Sequence, residues 1–526
     1  MLDKSVRATL AVALLVTCAQ TAMAQAATTA APAAPAAASA AADAEPVSDF
    51  FKCDGRPGHV GALGVMGELL AITATGGLAG EAIKKPDITK RLSGRDGAVA
   101  CDRAIAQEGN EQRKVELGLA RTIHDFEADD AAAALDSARA VPSLAPTLGT
   151  DVGFQRTSLV SARYLEAMAL MRLGRTEEAA QIAAIMADLA PYERYVQYRA
   201  MPFLGLTDRS FPEKRAVLAR LGQLDAIGLT TKADAERWAG DFKAAGDDLQ
   251  AARDVFVAFM PKVDTVETIA AESVDAMMAG DLPRSDALVA ETHKAIEQRQ
   301  GEGLEIGNQS GTDELLAFQR LGHLVTDGKL AEARTLYAGR DRWPSVSTAA
   351  QIAMVKTLRA GAPTAALTGA LAADPETLRA DTLKERAQRI WTATDKGAKL
   401  YGNLGFEGKA SDYQSVAGST WTIGKKPRFL LPKPATGAVQ GETIWVQRAG
   451  MNWGASSSEA LVLHAALIAQ SRGMSAFQIA PHSKYNLAIV RFGNLGDTTF
   501  PKIAALDTAQ TIAALSPVIP QPVPQR

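Results

Sequence analysis

The chain has 526 residues, with 56 Lys plus Arg against 59 Asp plus Glu, a formal charge of −3. That balance excludes the basic excess of a nucleic-acid binder, and three cysteines exclude a disulfide-dense scaffold or a four-cysteine zinc site. The length suits three to five domains of ~100–200 residues or one repeat array, and 6% aromatic content in an alanine-rich chain favours packed helices over a β-sandwich.

Residues 1–24 read as an export signal. Lys4 and Arg7 give a positive start, Ala8 to Val16 a short apolar core, and Ala22-Met23-Ala24 a small-x-small cleavage pattern, so the mature chain would begin at Gln25. The apolar run is far short of the ~20 residues a spanning helix needs. The expected location is periplasmic or secreted. An alternative is an outer-membrane lipoprotein anchored through Cys18, although Thr17 stands where lipidation boxes carry Gly, Ala or Ser. Residues 25–48, nearly all Ala and Pro, cannot form a core and read as a disordered linker.

In the segment 49–101, Cys53 and Cys101 are the two cysteines left after signal removal. In an oxidising compartment they form a reasonable disulfide, closing a loop of 48 residues and stabilising the fold by about 4 kcal/mol in the chain-entropy model. The stretch 61–83 between them is small and apolar, with Gly61, Gly64 and Gly67 spaced by three. Glu68 and the Gly76-Gly77 break favour a core or surface-docking helix over a membrane span.

From 102 to 394 the chain is a succession of amphipathic helical patterns broken at Gly and Pro. One pattern recurs: a helix ending in Gly, an Ala five residues on, apolar residues at helical spacing, then Pro. Copies centre on Gly174 with Ala179, Ala183 and Pro191; on Gly246 with Ala251 and Pro261; on Gly328 with Ala333 and Pro344; and on Gly361 with Ala366, Ala370 and Pro375. Weaker copies sit at Asp129-Ala134-Ala138 and Gly280-Ser285-Val289, and 193–224 reads as two helices. Gly246 to Gly280 is 34 residues and Gly328 to Gly361 is 33, the period of a helix–turn–helix solenoid, with an insertion around 297–313. Glycine ends the first helix left-handed, the small residue lets the second helix cross closely, and proline stops it.

These residues resemble the tetratricopeptide-repeat (TPR) family. The resemblance implies an α-solenoid whose first helices line a groove that holds a partner segment. By matching, Tyr164, Met168 and Arg172 line it in one unit, Glu236 and Lys243 in another, Phe318 and Val325 in a third. Met168 and Phe318 read equally well as core.

The texture changes in 395–515. Strands are predicted at 420–423, 429–431, 442–448, 477–479 and 487–492. Ser456 and Glu459 form a capping box for a helix running to Ser471, stopped by Gly473. The order implies a small α+β domain with its helix on one sheet face, followed by a loose Pro-rich tail, 516–526. The fold class is therefore mainly α: a TPR-like solenoid followed by a small α+β domain.

No motif carries chemistry. The six histidines, His59, His124, His293, His323, His464 and His482, form no metal-binding pair with a carboxylate at helical spacing, and no phosphate loop or nucleophile elbow occurs. Ser456 to Ser458 serve a helix cap, and Asp129-Asp130 and Asp247-Asp248 read as acidic helix starts at repeat turns. No catalytic residue, cofactor or metal is expected. The reading is a non-enzymatic envelope scaffold for a protein or peptide partner. The alternative is an envelope enzyme with its site in the α+β domain or at its junction with the repeats. A lipid-facing role through 61–83 is a third possibility.

Overall fold

A computed structural model of the chain describes residues 47–58, 87–207, 211–392, 397–402, 404, 421–423, 441–446, 456–481 and 487–519. The expected signal and linker, Cys18, the 61–83 stretch, the 429–431 strand, His59 and His482 lie outside those residues. The protein is mainly helical with a small antiparallel sheet near its C-terminus. Chain contacts divide it into two units: Cys18–Leu189 with Arg389–Asp412, and Ala190–Gln388 with Tyr413–Arg526. The division falls inside the predicted 102–394 repeat domain, and the repeats of the second unit are joined to the sheet rather than separated from it.

The N-terminal unit opens with α1 (Asp49–Asp54), capped by Ser48 and ended by Gly55 at φ +76°. Next come α2 (Gly94–Gln107), α3 (Glu111–Glu127) and α4 (Ala131–Ala140). A short α5 (Val152–Arg156) leads to α6 (Ser158–Arg172) and α7 (Thr176–Leu189). A disulfide joins Cys53 on α1 to Cys101 on α2, both fully buried.

In the C-terminal unit, α8 (Arg194–Leu204) and α9 (Pro212–Leu224) are the two helices expected in 193–224. They precede α10 (Ala226–Trp238) and α11 (Phe242–Phe259), α12 (Val266–Met278) and α13 (Leu282–Gly301), α14 (Gln309–Thr326) and α15 (Leu330–Ala338), and α16 (Thr348–Arg359).

The hairpin turns share one geometry. After α6, the Gly174 N–H donates to Met171 O and the Arg175 N–H to Leu170 O, with Gly174 at φ +75°. The same bonds recur at Gly240, Gly280 and Gly328, all with positive φ, and Asp129 takes this place at φ +57°. Such a turn satisfies the last carbonyls of the first helix. The next residue often caps the second: Asp130, Asp241 and Asp281 accept from Ala133, Ala244 and Arg284 N–H groups.

The register of one predicted copy is therefore corrected. Gly246 is not a turn: it lies inside α11 against Asp275 Cβ, and Gly240 makes the turn. The 34-residue interval compared two inequivalent glycines. The turn positions 129, 174, 240, 280 and 328 are unevenly spaced, because the helices differ in length. The five-residue rule gains from the correction. Ala134, Ala179, Ala245, Ser285 and Ala333, each five residues past its turn, are all fully buried. A larger side chain there would push the two helices apart.

Two further readings change. After Gly361 the chain makes 3-10 turns at Thr364–Ala366 and Gly369–Ala372, not a second helix. Pro375 then opens α17 (Pro375–Thr392) instead of closing a unit. Asp247 and Asp248 stand within α11, where they pair with cations of neighbouring helices.

A short α18 (Gly397–Gly402) belongs to the first unit. The sheet consists of β1 (Trp421–Ile423), β2 (Glu442–Val446), β3 (Ala476–Pro481), β4 (Leu487–Gly493) and β5 (Leu506–Asp507), in the order β1-β2-β4-β3-β5, all antiparallel. α19 (Ser456–Ser471) and α20 (Thr508–Leu515) complete the unit. Strand alternation sends the sheet's residues to two different cores. Ile444, Phe477, Ile479, Ala488 and Val490 pack with α19, α20 and Leu224. Ala480 and Ile489, of opposite parity, pack with Leu229, Val255 and Phe259 of α10 and α11. The sheet is thus a middle layer with helices on both faces. Ile519 is fully buried in the first of these cores, so 516–519 is packed rather than loose.

Candidate binding surface

The residues assigned to a groove do not share one environment. Met168 and Phe318 are fully buried; Phe318 sits in an aromatic cluster with Tyr337 and Trp343. They serve packing. Tyr164, Arg172, Glu236 and Val325 are half-buried and Lys243 is exposed. Arg172 is held by the preceding hairpin, donating to Phe126 O at 3.1 Å and lying 5.0 Å from the Phe126 ring centroid. Lys243, predicted on a first helix, stands past the Gly240 turn on α11, the second helix of its hairpin, and reaches Asp247 one turn along it at 2.9 Å. Val325 packs on the Phe318 cluster.

On α10, the side of Asp234 and Trp238 is already occupied. Trp238 packs with Ala349 and Ile352 of α16 and with Leu378 of α17, so the repeats curl until helices more than a hundred residues apart meet. The Arg386 guanidinium lies 4.5 Å from the Trp238 ring centroid and Arg379 5.7 Å from it. Arg386 also bonds Asp234 at 2.9 Å and Gly205 O at 3.2 Å. The motif search missed this arrangement because its parts are scattered over 205–386. The local signal was the spacing of Arg379 and Arg386, two turns apart on one helix face.

Within and between hairpins runs a ladder of buried ion pairs. Lys232 meets Asp248 at 2.6 Å, Arg237 meets Asp275 at 2.7 Å, and Arg253 meets Glu272 at 2.9 Å. Burial raises Asp248 to about 6 despite Lys232. In the first unit, Arg139 and Arg163 both bond Glu166, at 2.8 and 2.5 Å. Alanine crossings leave little apolar volume between helices, and charged side chains fix which helix neighbours which.

A second polar centre lies where α8 begins. Glu193 is fully buried, and its carboxyl is held well above the usual range by burial, then by the charge of Glu459 on α19. The Tyr195 N–H donates to Oε1 at 3.2 Å, and Ser458 of α19 lies close by. Glu459 is also fully buried. The two carboxyls lie where the start of α8 meets the α+β helix, and their like charge opposes ionisation of Glu193. Read from its spacing to Ser456 alone, Glu459 is only part of a capping box.

The first unit holds the buried Asp54 between Arg113 and Tyr401. Arg113 clasps its carboxylate through Nη1 and Nη2 at 2.6 and 2.8 Å, and the Tyr401 hydroxyl donates at 2.6 Å. Burial and Asp54 keep the Tyr401 phenol protonated. Nearby, the ligand atoms of Cys53, Cys101 and His124 lie within 4.8 Å of one another. Both sulfurs are spent in the disulfide. His124 Nε2 donates to Cys53 O at 2.7 Å, and Nδ1 is 2.8 Å from Glu127 Oε2. A Cβ on Gly97 would come within 2.3 Å of the His124 ring, which explains glycine there. The group acts as a buried post. Of the other histidines, His293 is exposed, His323 bonds Asp286 at 2.7 Å, and His464 is buried on α19, its imidazole lowered to about 4 by burial. No described helix is long and apolar enough to cross a membrane.

The described polar centres thus tie helices together, while the Asp234–Trp238 side of α10 holds a helix by contacts a separate chain could also make. Compared with known proteins, the chain matches no family model, and neither a curated protein nor a solved structure is significantly similar to it.

Proposed function

We propose that this chain is an exported, non-enzymatic scaffold that holds a protein or peptide partner on TPR-like helical hairpins. The observation that supports it most is the shared hairpin design. A left-handed turn followed five residues on by a fully buried Ala or Ser recurs at 134, 179, 245, 285 and 333. Each hairpin then buries its small-residue side and leaves half-buried first-helix positions such as Tyr164 and Val325 beside solvent. Such surfaces recognise extended or helical segments. The export reading rests on the pattern of residues 1–24.

The test is site-specific photo-crosslinking in the producing cell, with the reactive group at Tyr164 or Val325 and controls at Lys243 and Val257 on the second helix α11. A discrete adduct at Tyr164 and Val325 and not at the controls is expected. Equal labelling everywhere, or none, removes the reading.

One observation favours the alternative of an envelope enzyme: Ser458 lies close to the buried Glu193 carboxyl, beside Glu459. Labelling of Ser458 by a fluorophosphonate, lost on Glu193→Gln, would establish that alternative.

A further inference from the structure

The first fourteen residues of α17 do not resemble a core helix. Their half-buried positions, 378, 379, 382, 383, 386 and 387, follow one side of the helix, Asp381, Lys384 and Glu385 are exposed, and Glu376 in the first turn pairs with Lys356 of α16 at 2.8 Å. The other contacts described for the helix are recognisable in kind. Leu378 enters the small cluster of Trp238, Ala349 and Ile352. Arg379 and Arg386, two turns apart, both lie over Trp238. Arg386 takes Asp234 of α10 and the terminal carbonyl of Gly205 just past α8. This is how an arginine-bearing helix is recognised by a partner protein: an aromatic platform, one carboxylate and a helix C-terminus, whose carbonyls favour a cation.

The fit is also incomplete. Trp238 is nine-tenths buried, and among the described residues its indole Nε1–H has no acceptor. A buried donor without an acceptor weakens the state that contains it. A competing helix with a carbonyl or carboxylate at that point would satisfy the indole and keep both arginine contacts.

We infer that the Asp234–Trp238 face is a docking surface for an arginine-bearing amphipathic helix, and that residues 375–388 are its intramolecular occupant, displaced when the partner binds. The inference deepens the scaffold reading and rests on it. It names the chemistry of the partner: a helical segment with a leucine followed by arginines at i and i+7. In the closed state the surface selects against weaker ligands, because a partner must outcompete a tethered helix at high effective concentration.

Two measurements on the full mature chain test this. In wild-type protein, hydrogen exchange of the 375–388 amides should be at least 100-fold faster than that of the 226–238 amides, since the occupant opens without unfolding the face beneath it. Equal protection overturns the inference. A fluorescein-labelled peptide spanning residues 374–391 should bind Arg379→Ala/Arg386→Ala protein at least ten-fold tighter than wild type, and adding Asp234→Ala should abolish that gain. Equal binding to wild type and the double variant, with both folded by circular dichroism, also overturns it. If the double variant does not fold, the exchange ratio alone decides. The crosslinking positions Tyr164 and Val325 contribute no contact to α17 among those described, so their result stands or falls separately.

Discussion

The two units solve the same packing problem with different means. In the first, positions far apart in sequence are fixed by a covalent bond and by charge: Cys53 to Cys101, and Asp54 to Arg113 and Tyr401. In the second, which also has ion pairs such as Arg386 with Asp234, apolar layers supply further long-range order. Strand residues of one parity bury against α19 and α20, those of the other against α10 and α11. Alanine-rich hairpins bury little area per residue, and hydrophobic gain scales with area. Where a sheet is present its large side chains make up the deficit, and where it is absent cross-links do.

The contrast can be broken most forcefully at Asp54. Asp54→Ala leaves the Arg113 guanidinium buried without its carboxylate, and should cost about 3–5 kcal/mol. Replacing both Cys53 and Cys101 by Ser should cost up to about 4 kcal/mol. In both variants, hydrogen exchange should rise chiefly within 47–189. A uniform rise over both units would dissolve the distinction.

His464 tests the layered unit. Its folded pKa of about 4 lies below the unfolded value near 6.5, so the unfolded chain binds the proton first as pH falls. Stability should therefore decline from pH 6.5 toward 4, by at most about 3 kcal/mol from this group. His464→Gln should flatten that part of the stability curve relative to wild type. Parallel curves would show that burial of this imidazole does not control it.

A smaller effect compares the crossings. Ala179→Leu in the first unit and Ala245→Leu in the second should each cost ~1–3 kcal/mol by overpacking. A loss at one and not the other would mean that the hairpins are not equivalent.

The smallest effect discriminates register. Gly240→Ala should cost about 1 kcal/mol, because L-residues resist a φ of +82°. Gly246→Ala, in a helix with only ordinary contact to Asp275 Cβ at 3.5 Å, should be neutral or stabilising by up to about 1 kcal/mol. The opposite order in thermal melts would restore Gly246 as the turn.

Much of the local structure could be read from sequence. Gly174, Gly280 and Gly328 end helices as expected because few other residues adopt their backbone angles. Alternation identified β2, 487–492 was read as the strand that is β4, and the capping pattern marked α19. The Gly240/Gly246 error arose because two glycines stand six residues apart and both precede an alanine after five. Helix α20, β5 and the burial of Ile519 were missed, since a Pro-rich end looks unstructured until a core receives it. The Asp234–Trp238–Arg386 contact was beyond motif reading, because nothing local to 234 or 386 requires the other.

The sequence by itself determined the elements: where helices start and stop, which residue at each crossing must be small, and which strand positions are apolar. These depend on backbone angles, caps and periodicity within a few residues. Only the tertiary structure decided which elements meet. It brought Tyr401 to Asp54, gave the sheet a helical layer on each face, and laid residues 375–388 over Trp238. Those choices depend on desolvation and complementary charge between groups hundreds of residues apart, and such pairings leave no periodic trace in the chain.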